Sequence, residues 1–279
     1  MAKEFSIAMA VYKNDAPDYL RDALKSVIDQ TLKPNEIVIV GDGPISEECK
    51  KTIEDMSHEA QHEGIDMVFL PQSENHGLGA SLRLAVEHCR YDYIARMDAD
   101  DLALPYRFEK QMKCFDEDPE LSIVGGMITE FEGSPENIMD KRVLPLSDSE
   151  IKEFMKSRCG VNHVTVIFKK ADLLKAGNYN DEYRQEDYYL WARMIKTGCK
   201  FRNIPDIVVN VRSGRDQFAR RSGGSYYRDH MEIFKYMRRE GIISYPRLAY
   251  NGIVRGLVQY VFPNRLRTFT YQHMLRKKQ

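Results

Sequence analysis

In the first hundred residues, short apolar runs alternate with segments whose apolar residues recur every three or four positions. "FSIAMAVY" (5–12), "NEIVIVGDG" (35–43), "IDMVFLP" (65–71) and "YDYIARM" (91–97) have the length and side-chain content of buried strands. Between them, "APDYLRDALKSVIDQTL" puts Leu20, Leu24, Val27 and Ile28 on one helical face. "SEECKKTIEDMSHEA" and "LGASLRLAVEHCR" read as two further helices. Asn14 or Asp15 is expected to cap the first helix. Such alternation predicts an α/β fold with a mostly parallel, Rossmann-like sheet flanked by helices on both faces. No internal repeat or low-complexity segment interrupts it.

Composition narrows the class. With 43% hydrophobic and 30% charged residues, the 279-residue chain suits a globular domain with a tail rather than a disordered segment. A net charge of -1 argues against general nucleic-acid binding, which needs a basic surplus. "MAKEFSIAMAVYKND" lacks the pattern of a signal peptide, and no apolar stretch approaches membrane-spanning length. Cys49, Cys89, Cys114, Cys159 and Cys199 are scattered and never spaced as CxxC, so reduced thiols and a cytoplasmic location are expected.

In open parallel sheets ligands bind beyond the carboxyl ends of the strands. Three polar clusters fall at that edge: Tyr12, Lys13 and Asn14; Asp42; and Asp98, Ala99 and Asp100. In "YIARMDADDLALPYRFEKQ" (93–111) an apolar run ends in three carboxylates within four positions. Each disfavours its neighbours' ionisation, so water, a basic side chain or a metal must offset the repulsion. No His or Cys joins the cluster, which argues against zinc. Hard carboxylate oxygens suit Mg²⁺ or Mn²⁺, with diphosphate oxygens completing the shell. Asp101 is expected to cap a helix over "LPYRFEKQMKCF". Gly77 and Gly79 precede a helix, where backbone can approach an anion, and Arg83 lies one turn inside. Glu186 and Asp187 open the helix of "EDYYLWARM", where acids complement the helix dipole.

Taken together, "FSIAMAVYKNDAPDYLRDALKSVIDQTLKPNEIVIVGDGP", "ENHGLGASLRLAV", "YIARMDADDLALPYRFEKQ" and "QEDYYLWARM" resemble the family 2 glycosyltransferases, which have the GT-A fold. The likeness is to bacterial enzymes of capsular and exopolysaccharide assembly, including the amylovoran type, over roughly residues 4–225. The resemblance implies that Tyr12 stacks on a uracil ring and that Asp42 accepts the uracil N–H. Asp42 is the second acid of the family's "DDGS"; Gly41 and Pro44 depart from that pattern. It also implies that Gly77 and Arg83 lie near the nucleoside, that Asp98 faces the ribose or the metal, and that Asp100 ligates the metal. Asn162 and His163, before an expected strand "VTVIF", would border the acceptor pocket. Asp187 would be the general base, Glu186 its partner or an orienting group, and Arg193 a counter-charge to one of them. Arg212, Arg215, Arg220 and Arg221 would meet the leaving diphosphate.

The implied activity is inverting transfer of a sugar from a UDP-sugar, with Mg²⁺ or Mn²⁺, to a saccharide acceptor that is lipid-linked. The expected division is a catalytic domain over 1–225 and a basic amphipathic extension over 226–279. After Gly241 the chain has seven basic residues and no acidic one, interleaved with Leu248, Ile253, Val254, Leu257, Val258, Val261 and Phe262. Such a segment suits the anionic inner face of the cytoplasmic membrane, packing on the domain, or a dimer contact. Two other readings remain open at this point. A sugar-phosphate nucleotidyltransferase is expected to carry a "GxGxR"-type loop after the first strand, and "AVYKNDAPD" has no glycine. A non-catalytic saccharide-binding protein is expected to have lost the acids, whereas Asp98, Asp100 and Asp187 are present.

Overall fold

The computed structural model describes residues 3–180, 185–213 and 224–257. Its first half runs β1 (Phe5–Tyr12), α1 (Pro17–Ile28), β2 (Glu36–Asp42), α2 (Glu47–His62), β3 (Asp66–Pro71), α3 (Leu78–His88) and β4 (Tyr93–Arg96). These strands lie in the order β3-β2-β1-β4, all parallel. The chain therefore reverses its direction of travel across the sheet at β1. That reversal opens a crevice at the carboxyl edge between β1 and β4.

Alternation along the strands builds two cores. Ile7, Met9 and Val11 of β1 and Ile37 and Ile39 of β2 point to one face, against Leu20, Leu24, Val27 and Ile28 of α1 and Ile53 and Met56 of α2. Ala8, Val38 and Val40 point to the other, against Leu82, Ala85 and Val86 of α3. A sheet covered on both faces explains why these strands read as nearly continuous apolar runs. The cap of α1 departs from expectation. Ala16 occupies the cap without a side-chain bond, and Pro17 starts the helix with its preset φ. The Asp15 carboxylate instead accepts the Tyr12 N–H at 2.9 Å, tying the end of β1 to the loop that follows.

The second half adds β5 (Leu102–Ala103), α4 (Arg107–Glu117), β6 (Ile123–Phe131), β7 (Ile138–Arg142), α5 (Asp148–Met155), β8 (Ile167–Lys169), α6 (Lys170–Lys175), α7 (Glu186–Lys196), β9 (Phe201–Arg212), α8 (Gly224–Arg239) and α9 (Tyr245–Gly256). β8 inserts antiparallel between β4 and β6, and β9 runs parallel to β6. The expected strand "VTVIF" is only half a strand. The N–H and hydroxyl of Thr165 both bond the Asn162 carbonyl, closing a 3₁₀ turn at His163–Thr165, so β8 starts at Ile167.

α7 buries Leu190, Trp191 and Met194, and α8 buries Ile233, Phe234 and Met237 in the same core. α9 leaves Tyr250, Ile253, Val254 and Leu257 on the surface. Among the described residues no helix is long and apolar enough to cross a membrane. Val258, Val261, Phe262 and the five basic residues from Arg265 onward lie outside the described residues.

Candidate active site

Tyr12 and Asp42 are register partners at the carboxyl ends of β1 and β2. Tyr12 is exposed. Asp42 is buried and holds the loop ahead of α3. Its carboxylate accepts the N–H of His76 at 2.7 Å and of Gly77 at 3.1 Å, and the amide of Asn75 at 2.8 Å. Gly77 meets these bonds at φ 88°, a conformation that an L side chain strains. Two residues on, Gly79 lets α3 approach α7. A Cβ there would lie 3.2 Å from the Asn180 carbonyl and 3.4 Å from the Glu186 Cβ. The α3 start and the acid-bearing start of α7 are thus in contact. Arg83 follows one turn later, its carbonyl receiving the Asn178 amide at 3.5 Å.

The loop after β4 carries the other carboxylates. Arg96, buried at the end of the strand, grips both Asp98 oxygens through its two terminal nitrogens. Asp101 does not cap α4, whose cap is Tyr106. It is buried instead and accepts the Arg212 N–H at 2.8 Å. Arg212 also donates from Nε to the Asp100 carbonyl at 3.1 Å, with its guanidinium over the rings of Tyr19 and Phe131. The end of β9 therefore straps the loop in place, a positioning contact beside the anion-binding role expected for Arg212. Arg215, Arg220 and Arg221 lie outside the described residues. Beneath the loop, Arg107 is wholly buried and bonds the Arg96 carbonyl at 2.7 Å. Burial first, and Arg96 second, lower its pKa to about 9.

The carboxylates around the crevice carry a surplus of negative charge. Burial, then the charge of Asp98, raises Asp100. Burial, then Asp98 and Asp100, pushes Asp101 well above the carboxylate range. Asp15, pushed up to about 6 chiefly by burial, also feels Asp100 and Asp98. A hard cation relieves such repulsion, so this donor set fits Mg²⁺ or Mn²⁺. Among the described residues no three His, Cys, Asp or Glu side chains close on one point.

Glu186 and Asp187 begin α7 on the neighbouring wall. Burial, then Asp187, raises Glu186 to about 7; Arg96 opposes this and Asp98 adds to it. Glu186 thus shares an electrostatic neighbourhood with the Asp98 loop. One Asp187 oxygen accepts the Tyr188 N–H at 2.7 Å, and the other lies 3.9 Å from Cys159 Sγ. Arg193, expected as a counter-charge to the acids, donates to the carbonyls of Ala176 and Asn178 and so shapes the turn before α7. His163 Nε2 lies 2.8 Å from the Tyr179 hydroxyl, and its ring packs edge-on to Trp191. Burial, then Arg96, holds its pKa well below the ordinary value, so it is neutral and serves packing. Asn162 donates to the Gly126 carbonyl at 2.9 Å.

Sequence reading passed over Arg96, Arg107 and, except as a cap, Asp15. For Arg96 a signal exists: it ends an apolar strand two positions before Asp98, where side chains share a face.

The family model "Glycosyl transferase family 2" matches residues 6–180, more than half of the chain. The chain belongs to glycosyl transferase family 2. Among the relatives of this family 2 chain is the amylovoran biosynthesis glycosyltransferase AmsE of Erwinia amylovora, 32% identical over 95% of this chain and 93% of its own. Another is the UDP-Gal:alpha-D-GlcNAc-diphosphoundecaprenol beta-1,3-galactosyltransferase of Escherichia coli, 30% identical over 98% of this chain and 97% of its own. The mannosyltransferase PcManGT of Pyrobaculum calidifontis, solved with GDP-Man and Mn²⁺, superposes with a TM-score of 0.65 at 14% identity. That superposition covers 97% of this chain and 79% of PcManGT, and it bears out the GT-A fold.

The Glu186 environment makes a stability prediction for this family 2 enzyme. From pH 4.5 to about 7 the folded protein retains a proton at Glu186 that the unfolded chain has lost, so stability falls as pH rises through that window. The full shift corresponds to at most roughly 3 kcal/mol above pH 7. Glu186→Gln removes that cost. Its Tm at pH 8 should exceed wild type by several degrees, and the two should converge near pH 4.5. Equal Tm values at pH 8 would contradict a desolvated Glu186.

Proposed function

We propose that this family 2 glycosyltransferase is metal-dependent and inverting, and that it moves a sugar from a UDP-sugar to a saccharide carried on a lipid. The observation that carries this reading is the meeting of two carboxylate groups across one crevice. The Asp98–Asp101 loop at the end of β4 and the Glu186–Asp187 start of α7 interact electrostatically. The start of α7 in turn meets α3 at Gly79. Tyr12, Asp42 and the Gly77 turn flank the uracil side, and Arg83 lies along the same helix.

In this reading Asp187 takes the proton of an acceptor hydroxyl as its oxygen attacks the anomeric carbon from the face opposite the diphosphate. The bond from that carbon to the diphosphate oxygen breaks, and its electron pair leaves on UDP. One displacement inverts the centre. Glu186, whose pKa burial and the neighbouring Asp187 raise to about 7, stands beside the base and orients it or the acceptor. Asp100, with Asp98 beside it, would hold Mg²⁺ or Mn²⁺, which when bound neutralises the developing charge of the leaving diphosphate. Mn²⁺ in PcManGT supports the metal, and the substrates named for the Escherichia coli relative support both UDP and a lipid-linked acceptor.

We place the enzyme on the inner face of the cytoplasmic membrane, held through the basic segment after Gly241; salt-sensitive sedimentation with anionic vesicles checks this. The decisive experiment incubates the full chain with a panel of UDP-sugars and measures released UDP, with Mn²⁺ and with chelator. Metal-dependent release from one donor is expected. Neither binding nor release with any UDP-sugar would sink the reading.

A further inference from the structure

The side chain of Arg212 joins three parts of the fold at the exit of the acid loop. β5, the strand that receives the loop, pairs antiparallel with β9 through Leu102 and Asn210. Two residues beyond that pair, Arg212 donates from Nε to the Asp100 carbonyl at 3.1 Å. Its Nη1 donates to the Gly133 carbonyl at 3.3 Å, in the turn between β6 and β7. Its Nη2 faces Asp22 Oδ2 of α1 at 3.5 Å. The guanidinium carbon lies 3.8 Å from the centre of the Tyr19 ring, one turn earlier on α1. It lies 4.9 Å from the centre of the Phe131 ring, its register partner on β6.

All three nitrogens of the fork therefore face oxygens of the protein, and the side chain is only 12% exposed. A guanidinium that binds phosphate turns its donor edge to the ligand. Here Nε is turned to the main chain of the acid loop, and a carboxylate stands beside the charge. To reach a diphosphate, the group would have to leave two rings and three oxygens. The same contacts suit a different task. Asp98, Asp100 and Asp101 repel one another, which favours loosening of the loop that carries them. Arg96 grips the Asp98 carboxylate, and the Arg212 main-chain N–H holds that of Asp101. Asp100 is held through its carbonyl, by the Arg212 side chain.

We infer that Arg212 is a positioning residue for Asp100, steadied by Tyr19 and Asp22 of α1, and that it does not bind the leaving diphosphate. The inference rests on Asp100 as the metal ligand proposed above. It moves Arg212 from the substrate's side of the metal to the carboxylate's side. It also draws two residues of α1 into the support of the site.

The test titrates the full chain with UDP by calorimetry, with Mn²⁺ and with chelator, in wild type and in Arg212→Gln. The substitution keeps the main-chain N–H that Asp101 accepts, so the end of β9 should stay paired with the loop. With Mn²⁺ the variant should bind UDP roughly 10–100-fold more weakly, the loss expected when a group that orients a metal ligand is removed. With chelator the two proteins should bind UDP equally. Arg212→Lys keeps the charge without the planar fork, and should resemble Arg212→Gln. Tyr19→Leu, which removes a ring from the guanidinium, should weaken the Mn²⁺ titration by a smaller factor. An equal loss in chelator would make Arg212 a diphosphate ligand and overturn the inference. Equal binding by wild type and Arg212→Gln in Mn²⁺ would overturn it too. Amide hydrogen exchange gives a second readout that needs neither metal nor nucleotide. Residues 98–103 should exchange faster in Arg212→Gln, while β2 stays as protected as in wild type. Unchanged exchange in the loop, or lost protection throughout the sheet, overturns a positioning role. If Mn²⁺ adds nothing to UDP binding by wild type, the metal reading fails instead, and loop exchange alone decides whether Arg212 holds Asp100.

Discussion

Asp187→Asn should lower turnover by roughly 10²–10⁴-fold, the range for loss of a general base. Donor affinity should stay close to wild type. The amide keeps the size of the carboxylate and can still accept the Tyr188 N–H, so α7 should start as before. What it loses is the capacity to take a proton as the acceptor oxygen attacks. Glu186→Gln should reduce turnover less, because Asp187, the proposed base, survives. Steady-state rates and UDP titrations on both variants separate these outcomes. A larger loss at position 186 than at 187 would transfer the role of base to Glu186.

Asp100→Asn should abolish the metal-dependent part of UDP binding. Asn offers a carbonyl oxygen without the charge that hard cations select. The fold should not suffer, because Asp100 is held in a buried place beside Asp98 that disfavours its ionisation. Calorimetry with UDP, with and without Mn²⁺, together with a melting curve, measures both. Retained Mn²⁺-dependent binding in the variant would exclude Asp100 as the ligand. Asp98 is a less clean target, since its removal leaves the buried Arg96 guanidinium without its carboxylate.

Much of this was legible in the chain. β1, β2 and β3 lie within a residue of the runs that announced them; β1 and β2, covered on both faces, are apolar almost throughout, while β3 is a half-buried edge strand. Asp42, the Asp98–Asp100 pair and Glu186–Asp187 were found as polar breaks at element ends, and the structure places Asp42 at the end of β2, Asp98–Asp100 after β4 and Glu186–Asp187 at the start of α7. What the sequence hid was pairing over long distances. Asp101 looked like a cap from its neighbours, yet its partner is Arg212, 111 residues away. Arg193 looked like a counter-charge to the acids about two turns earlier in α7, and its fork also reaches the carbonyls of Ala176 and Asn178 after α6. Arg107 sits at a helix start and reads as surface, but the buried carbonyl of Arg96 draws it inside. Local propensity could not show these contacts, because the sheet creates them when it closes.

The contact at Gly79 works as a gauge block between α3 and α7. One absent methyl group sets the clearance between the helix that follows the loop held by Asp42 and the helix that starts with the acid pair. Any side chain at position 79 must push its neighbours back by a few tenths of an ångström. A reaction that depends on in-line approach loses rate steeply with such displacements. Residue 79 is therefore a tuning screw, a place where the spacing between α3 and the acid-bearing start of α7 can be stepped by one substituent at a time without substituting a charged group.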